Sequence, residues 1–140
     1  MDVVEANKRT AADWLAQISS KDVEKTLLTT APDWRMYGGP PDLPVGPDGV
    51  RTLFAHLNGV EQTWIVDDVI AEGDRVVVRA TNNCEQDEFF GIPAAGVRQV
   101  FTATFTFRFV NGKVVDIWRN ADDLGRVLQL GARLVPPSGT

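Results

Sequence analysis

The feature that most constrains the fold is a run in the C-terminal half, residues 101–109, in which apolar and polar side chains alternate. The odd positions are phenylalanine or alanine, and the even positions are Thr102, Thr104, Thr106 and Arg108. Successive side chains of a strand point to opposite faces, so this run predicts a strand with one face against a core. Asn111-Gly112 follows, which is a strong signal for a tight hairpin. We therefore expect a last strand, residues 114–121, to pair with it antiparallel.

The rest of the chain divides into a helical first part and a strand-rich second part. Period-two segments at 64–70 and 75–81 flank a Gly-containing turn and predict a second hairpin. Helical spacing of apolar residues predicts helices at 4–19, 23–28, 47–57 and 124–130. Helices followed by a meandering sheet indicate an α+β fold with helices on one face of the sheet. We expect one domain over residues 1–140, with a frayed tail at 134–140.

Composition excludes several classes of function. The formal net charge is −5 and the 14 basic residues are scattered, so nucleic acid is not an expected partner. No apolar stretch approaches the roughly 18 residues that a membrane-spanning helix needs. The N-terminus lacks the pattern of a secretory signal, which predicts a cytoplasmic protein. The single cysteine, Cys84, offers neither an intrachain disulfide nor a set of zinc ligands.

Five local motifs occur in a characteristic order. They are PDLPVGPDGVRTLF (41–54), VDDVIAEGDRVVVR (66–79), FFGIPAAGVR (89–98), FRFVNGKVVDIW (107–118) and ADDLGRVLQLG (121–131). In order and spacing they resemble the SnoaL-like polyketide cyclases, a branch of the NTF2-like superfamily, from about Pro32 to Gly131. The resemblance implies a cone, in which a curved and mostly antiparallel sheet surrounds a pocket and helices pack on its concave face.

The resemblance also implies a function. Family members close rings of aromatic polyketides by an intramolecular aldol step without metal or organic cofactor, and commonly form homodimers through the outer face of the sheet. It thus implies a cofactor-free cyclase or isomerase that acts on a hydrophobic polyketide-type metabolite by general acid/base catalysis. Two alternatives stay open because related folds differ in function. One is an epoxide hydrolase or epoxide-opening cyclase with paired carboxylates, and the other is a non-catalytic ligand-binding or scaffolding domain.

The segment WRNADDLG, residues 118–125, contains the candidate catalytic residue. The resemblance places the general acid/base at Asp122, four residues after Trp118 and three before Gly125. An apolar pocket disfavours the charged form of a carboxyl group, which suits the group to proton transfer near neutral pH. Strand parity predicts that Trp118, Asn120 and Asp122 face the pocket together. Asp123 is better placed as the N-cap of the terminal helix, although capping is also open to Asp122.

Further candidates are residues that would contact substrate. They are Tyr37, Trp64, Arg79, Glu85, Phe89, Trp118 and Asn120. Tyr37 and Glu85 occupy positions where many family members have histidine; Tyr37 would donate a hydrogen bond and Glu85 would pair with Asp122. Arg79 would pair with Glu85 or with an anionic substrate. For Glu85 and Arg79 the competing interpretation is a solvated surface position, for Tyr37 it is a rim aromatic that caps the core, and for the tryptophans it is core packing.

Overall fold

The structure is a computed structural model that describes residues 2–138. The helices are α1 (Val3–Ser20), α2 (Val23–Leu28), α3 (Pro47–His56) and α4 (Asp123–Gln129). The strands are β1 (Thr30–Tyr37), β2 (Glu61–Glu72), β3 (Arg75–Glu85), β4 (Glu88–Phe89), β5 (Ile92–Pro93), β6 (Gln99–Val110) and β7 (Lys113–Ala121).

Five long strands form one sheet in the order β1-β7-β6-β3-β2. Only the β1–β7 pair is parallel within the described chain; the other three pairs are antiparallel. Irregularities between Val66 and Asp68 and between Arg108 and Phe109 interrupt the registers, and such bulges bend and twist a sheet. The α+β class and the curved, mostly antiparallel sheet are confirmed.

The alternating run forms the inner face of β6, as predicted. Its phenylalanines, Phe101, Phe105, Phe107 and Phe109, are all buried. The β6–β7 hairpin turns at Asn111 and Gly112, whose φ angles are 50° and 75°. Positive φ at both central residues is what a type I′ turn requires, so the Asn-Gly signal has the expected structural consequence.

Helix α1 covers the concave face of the sheet. Ala11, Trp14 and Leu15 lie on one side of it and are buried. The Trp14 ring stacks on Trp34 at a centroid distance of 6.1 Å and meets the edge of Phe107 at 6.1 Å. Its indole nitrogen donates a hydrogen bond to a threonine hydroxyl oxygen, so its one polar group is satisfied despite burial.

Helix α3 approaches β1 and the preceding loop closely. It begins with Pro47, which suits the first helical turn because its missing N–H has no intrahelical partner there. A β-carbon added at Gly49 would lie only 2.0 Å from the Pro44 carbonyl oxygen and 2.8 Å from the Trp34 ring. The absence of a side chain at Gly49 therefore lets α3 sit at the wall of the core, where Val50 and Leu53 are buried.

The C-terminal tail has no regular secondary structure over residues 132–138. The predicted tail, 134–140, ends in Gly139 and Thr140, which lie outside the described residues.

Candidate active site

A cavity of about 370 Å³ opens between the helices and the inner face of the sheet. Most of its wall is apolar, from Ile18, Met36, Leu53, Leu57, Val60, Trp64, Phe89, Phe90, Phe101 and Phe105. Its polar side chains are His56, Gln62, Gln86, Arg119, Asp123 and Arg126. A predominantly apolar cavity of this size with few polar groups is typical of a site for a small molecule.

Asp123 is the acidic side chain of this cavity, and Arg119 holds it. Two Arg119 nitrogens, Nη1 and Nη2, each donate to a different Asp123 carboxylate oxygen at 2.9 Å. The Arg119 Nη1 also donates to the Gly38 carbonyl oxygen at 3.1 Å. The two side chains are 16% and 29% exposed, so the pair is partly shielded from water. A fork with two parallel bonds fixes the orientation of a carboxylate.

Asp122 lies outside the cavity lining and caps α4 instead. Its Oδ1 accepts a hydrogen bond from the Gly125 backbone N–H at 2.8 Å, and the residue is exposed. The predicted division of tasks between the two aspartates is therefore wrong in geometry: Asp122 is the cap and Asp123 faces the cavity.

The prediction that Trp118, Asn120 and Asp122 face the cavity is wrong, because near the C-terminal end of β7 the odd-numbered residues point inward. Ile117 pairs with Phe107 and Trp118 pairs with Thr106, and Phe107 belongs to the buried face of β6. Trp118 consequently lies on the outer face, where it stacks on Tyr37 at 5.4 Å. Asn120 is exposed on that same face. Tyr37, Trp118 and Asn120 therefore do not line the cavity.

Two further predicted contacts also lie elsewhere. The Arg79 Nη2 is 2.6 Å from an Asp68 carboxylate oxygen, on an exposed part of the sheet. The Arg98 guanidinium donates to the Glu85 carboxylate at 2.8 Å, and both side chains are about half exposed. The structure thus does not bring Glu85 and Asp122 together as a carboxylate pair, and Asp123 is the one acidic residue that lines the cavity within residues 2–138.

Trp64 and Phe89 are the predicted contacts that do line the cavity. Trp64 packs edge-to-face against Phe101 and Phe105, with centroid distances of 5.7 and 5.1 Å. Phe89 lies beneath the guanidinium of Arg126, whose central carbon is 3.6 Å from the ring centroid. These two aromatic side chains form part of the apolar wall around the polar groups.

Arg126 is the most unusual residue of the cavity. It is 6% exposed, yet it makes no salt bridge with any carboxylate of the described residues. Its Nε donates to the Gln99 Oε1 at 2.6 Å, and its Nη2 donates to the Gln86 Oε1 and lies 3.4 Å from the Cys84 sulfur. Burial lowers the pKa of Arg126, because desolvation disfavours the charged form. Burial likewise raises the pKa of the Cys84 thiol.

Sequence reasoning missed Gln62, Gln86 and Arg126, and it assigned His56 no role. His56 and Leu53 lie one turn apart on α3, and both line the cavity. The register aligns Gln62 on β2 with Cys84 on β3, which places Gln62 beside the residues that contact Arg126. No local pattern marks these residues, because Gln86 follows the end of β3 and meets Arg126, 40 residues further along the chain, only in the folded protein.

Two classes of site find no support in the described part of the chain. Residues 2–138 contain no group of three or more His, Cys, Asp or Glu side chains arranged to hold a metal ion. None of the helices described is long and apolar enough to cross a membrane.

Comparison with known proteins identifies a family and a fold. The model of the family SnoaL-like polyketide cyclase matches residues 8–130. TsrD from Streptomyces laurentii is 26% identical with a TM-score of 0.82, and the match covers 95% of this chain and 99% of TsrD. IdmH from Streptomyces antibioticus, described as a proposed polyketide cyclase, is 25% identical with a TM-score of 0.74, over 90% of this chain and 99% of IdmH. No curated protein sequence matches the chain significantly.

More distant structures share the fold alone. An LEH-like epoxide hydrolase from M. tuberculosis is 16% identical with a TM-score of 0.73, and the match covers 92% of each chain. The predicted NTF2-like cone is confirmed by the solved structures that superpose on nearly the whole chain. With its family model matched over residues 8–130, this chain belongs to the SnoaL-like polyketide cyclase family.

Proposed function

We propose that the chain is a cyclase or isomerase that transfers protons on a hydrophobic, oxygenated metabolite of the polyketide type, with Asp123 as the general acid/base. The observation that carries this proposal is the Asp123 carboxylate at the cavity, oriented by two hydrogen bonds from Arg119. The family description supplies the substrate class. A cytoplasmic location stays a prediction from the sequence.

Ring closure by an aldol step needs one group that moves a proton in both directions. Asp123 would accept a proton from the carbon beside a substrate carbonyl, which leaves an enolate. The enolate carbon then forms a bond to a second carbonyl carbon, and the oxygen of that carbonyl becomes an alkoxide. Asp123 returns the proton to the alkoxide, so atoms and charge balance without an added reactant. Arg119 would hold the carboxylate in place during both transfers.

Proton abstraction can be measured without the natural substrate. We would follow deuterium exchange at C1 of 2-tetralone in D₂O by ¹H NMR, with and without protein. Asp123→Asn should lower the protein-catalysed rate by about 100-fold or more, since general acid/base groups contribute effects of that order. Asp122→Asn is the matched control and should keep the wild-type rate. Wild-type protein that does not accelerate exchange, or an undiminished rate in Asp123→Asn, would contradict the proposal.

The epoxide alternative loses the geometry on which it depended. It needed a second carboxylate near the candidate catalytic one, but Glu85, Asp68 and Asp87 all lie outside the cavity lining. Glu85 and Asp68 are instead engaged with Arg98 and Arg79 at the surface.

A non-catalytic ligand-binding domain is the second candidate. It is favoured by Asp122, because the residue at the family's acid/base position is committed to capping α4. The open cavity argues for a bound small molecule in either case. Binding of 2-tetralone without any exchange would support this candidate over the cyclase.

We also propose that the chain forms a homodimer through the outer face of its sheet. That face carries Thr102, Thr104 and Thr106 on β6, and Ile65 and Ile70 are 50% and 67% exposed on the edge strand β2. Sedimentation velocity would show twice the monomer mass for the wild type. Thr104→Arg, which adds charge at the centre of the face, should shift the protein to monomer, and a monomeric wild type would contradict the dimer.

A further inference from the structure

The polar end of the cavity carries an excess of positive charge. Arg119 and Asp123 neutralise each other as a bidentate pair, whereas Arg126 has no carboxylate partner among the described residues. Two guanidiniums and one carboxylate leave the cavity lining with a formal charge of +1, in a chain of net charge −5. The positive charge is therefore a local property of the cavity.

A buried charge without a counter-ion is costly. Removing an ion from water remains costly after the protein relaxes around it, and neutral amide acceptors offset only part of that cost. The fold supplies Arg126 with amide oxygens from Gln86 and Gln99 and with the faces of Phe89 and Phe101, but with no anion. Its Nη1 makes no hydrogen bond to any residue of the described range. An anionic group of a ligand would supply the counter-charge that Arg126 lacks.

A second donor lies at the same end of the cavity without a partner. The Nε2 of Gln62 is buried and has no hydrogen-bond acceptor within residues 2–138, although its Oε1 accepts from Asn82 at 2.9 Å. Gln62 pairs across the sheet with Cys84, and Arg126 contacts the Cys84 sulfur. The cavity therefore offers two donors, one charged and one neutral, and its lining at that end has no free carboxylate.

We propose that the cavity selects an anionic substrate, and that Arg126 and Gln62 bind its charged oxygen group, a carboxylate or a vinylogous enolate. This inference rests on the proposed function only in that the same cavity holds the substrate. The apolar wall of Trp64, Phe89 and Phe101 would take the rings, while the anion lies against Arg126. Asp123, already paired with Arg119, stays available at the cavity for proton transfer.

The test compares ligands that differ in charge and hardly in shape. Isothermal titration calorimetry would measure 2-naphthoate against 2-naphthamide, and the anion of 2-hydroxy-1,4-naphthoquinone against neutral 1,4-naphthoquinone. A charge-assisted hydrogen bond corresponds to about a tenfold or greater preference for the anion. Preference in the first pair identifies a carboxylate, and preference in the second identifies an enolate. Equal affinities in both pairs, including no binding by any of the four, would overturn the proposal.

Single substitutions test which residue causes the preference for the anionic ligand. Arg126→Gln should reduce the anion preference to about one, because the amide keeps a planar donor without charge. Arg98→Gln is the matched control: it removes a surface guanidinium paired with Glu85 and should leave the preference unchanged. A folded Arg126→Gln protein that keeps the full preference would overturn the assignment.

A second measurement avoids any dependence on the folding of that variant. Phenylglyoxal modifies accessible guanidinium groups, and peptide mass analysis locates the modified arginine. In the wild type, the preferred anion should slow modification of Arg126 while its neutral counterpart should not, and equal protection would overturn the proposal. Failure here is separable from failure of proton transfer, because Asp123→Asn should lower the exchange rate by about 100-fold or more and keep the anion preference.

Discussion

Arg119 donates a hydrogen bond to each carboxylate oxygen of Asp123, both at 2.9 Å, across the junction between β7 and α4. The pair is spaced as i and i+4, yet it does not lie along one helix, since Arg119 lies in β7, two residues before its end, and Asp123 begins α4. The two elements are joined through Asp122, whose φ and ψ angles are −77° and 66°. The carboxylate at the cavity is therefore placed by the strand–helix junction and held there by the guanidinium.

Loss of the guanidinium should impair turnover more than binding. Arg119→Gln is expected to lower the maximal rate of 2-tetralone exchange by about tenfold or more, because a misplaced catalytic group is costly in rate. The affinity for the neutral ligand 2-naphthamide should stay within a factor of about two, because the apolar wall is unchanged. NMR exchange and calorimetry give the two values. Arg119→Lys should recover part of the rate, and a purely structural role predicts no such recovery at equal stability.

Asp122 should matter for stability and not for chemistry. Asp122→Ala removes the acceptor for the Gly125 N–H and should lower the free energy of unfolding by about 1 kcal/mol, the usual cost of losing an N-cap. Asp122→Asn keeps an acceptor oxygen and should lose less. Urea denaturation measures both. A fall in exchange rate for Asp122→Asn as large as that for Asp123→Asn would restore Asp122 as the catalytic residue.

The contrast between these two aspartates shows where sequence reasoning reaches its limit. The alternation on β6 and the Asn111-Gly112 turn predicted the central hairpin, because both signals are local. Which residues of β7 point into the cavity depends on a bulge opposite Phe109 and on the stacking of Trp118 with Tyr37, which are tertiary features. Burial of Arg126 depends on glutamines 27 and 40 residues away along the chain, so no local pattern could reveal it.

The fit of α3 against the loop before it should tolerate no added side chain. Gly49→Ala is expected to lower the free energy of unfolding by about 2 kcal/mol, because the new β-carbon meets a backbone oxygen that cannot move freely. Gly59→Ala is the matched control, since nothing lies within 4 Å of its added β-carbon. Urea denaturation compares the two. Equal stabilities would show that α3 shifts at little cost, and the cavity residue His56 would then shift with it.

The Cys84 thiol should make stability depend on alkaline pH. Burial raises its pKa above the ordinary value of 9.0, so the folded state keeps the proton when the unfolded chain begins to lose it. The contribution of this group to stability is thus complete below pH 9.0 and decreases as the pH rises through the folded-state pKa. The wild type should lose more free energy of unfolding between pH 7.5 and pH 10 than Cys84→Ala does.

Thiol reactivity gives an independent measure of the same shift. At pH 8, the folded protein should react with iodoacetamide far more slowly than the urea-unfolded chain, because the thiolate is the reactive form and the sulfur is buried. Equal reaction rates would contradict both the burial and the raised pKa. If the pH dependence of stability were identical in Cys84→Ala, the alkaline loss would belong to other groups. A positive result places a neutral thiol beside Arg126, which leaves that guanidinium without an internal counter-ion across the physiological range.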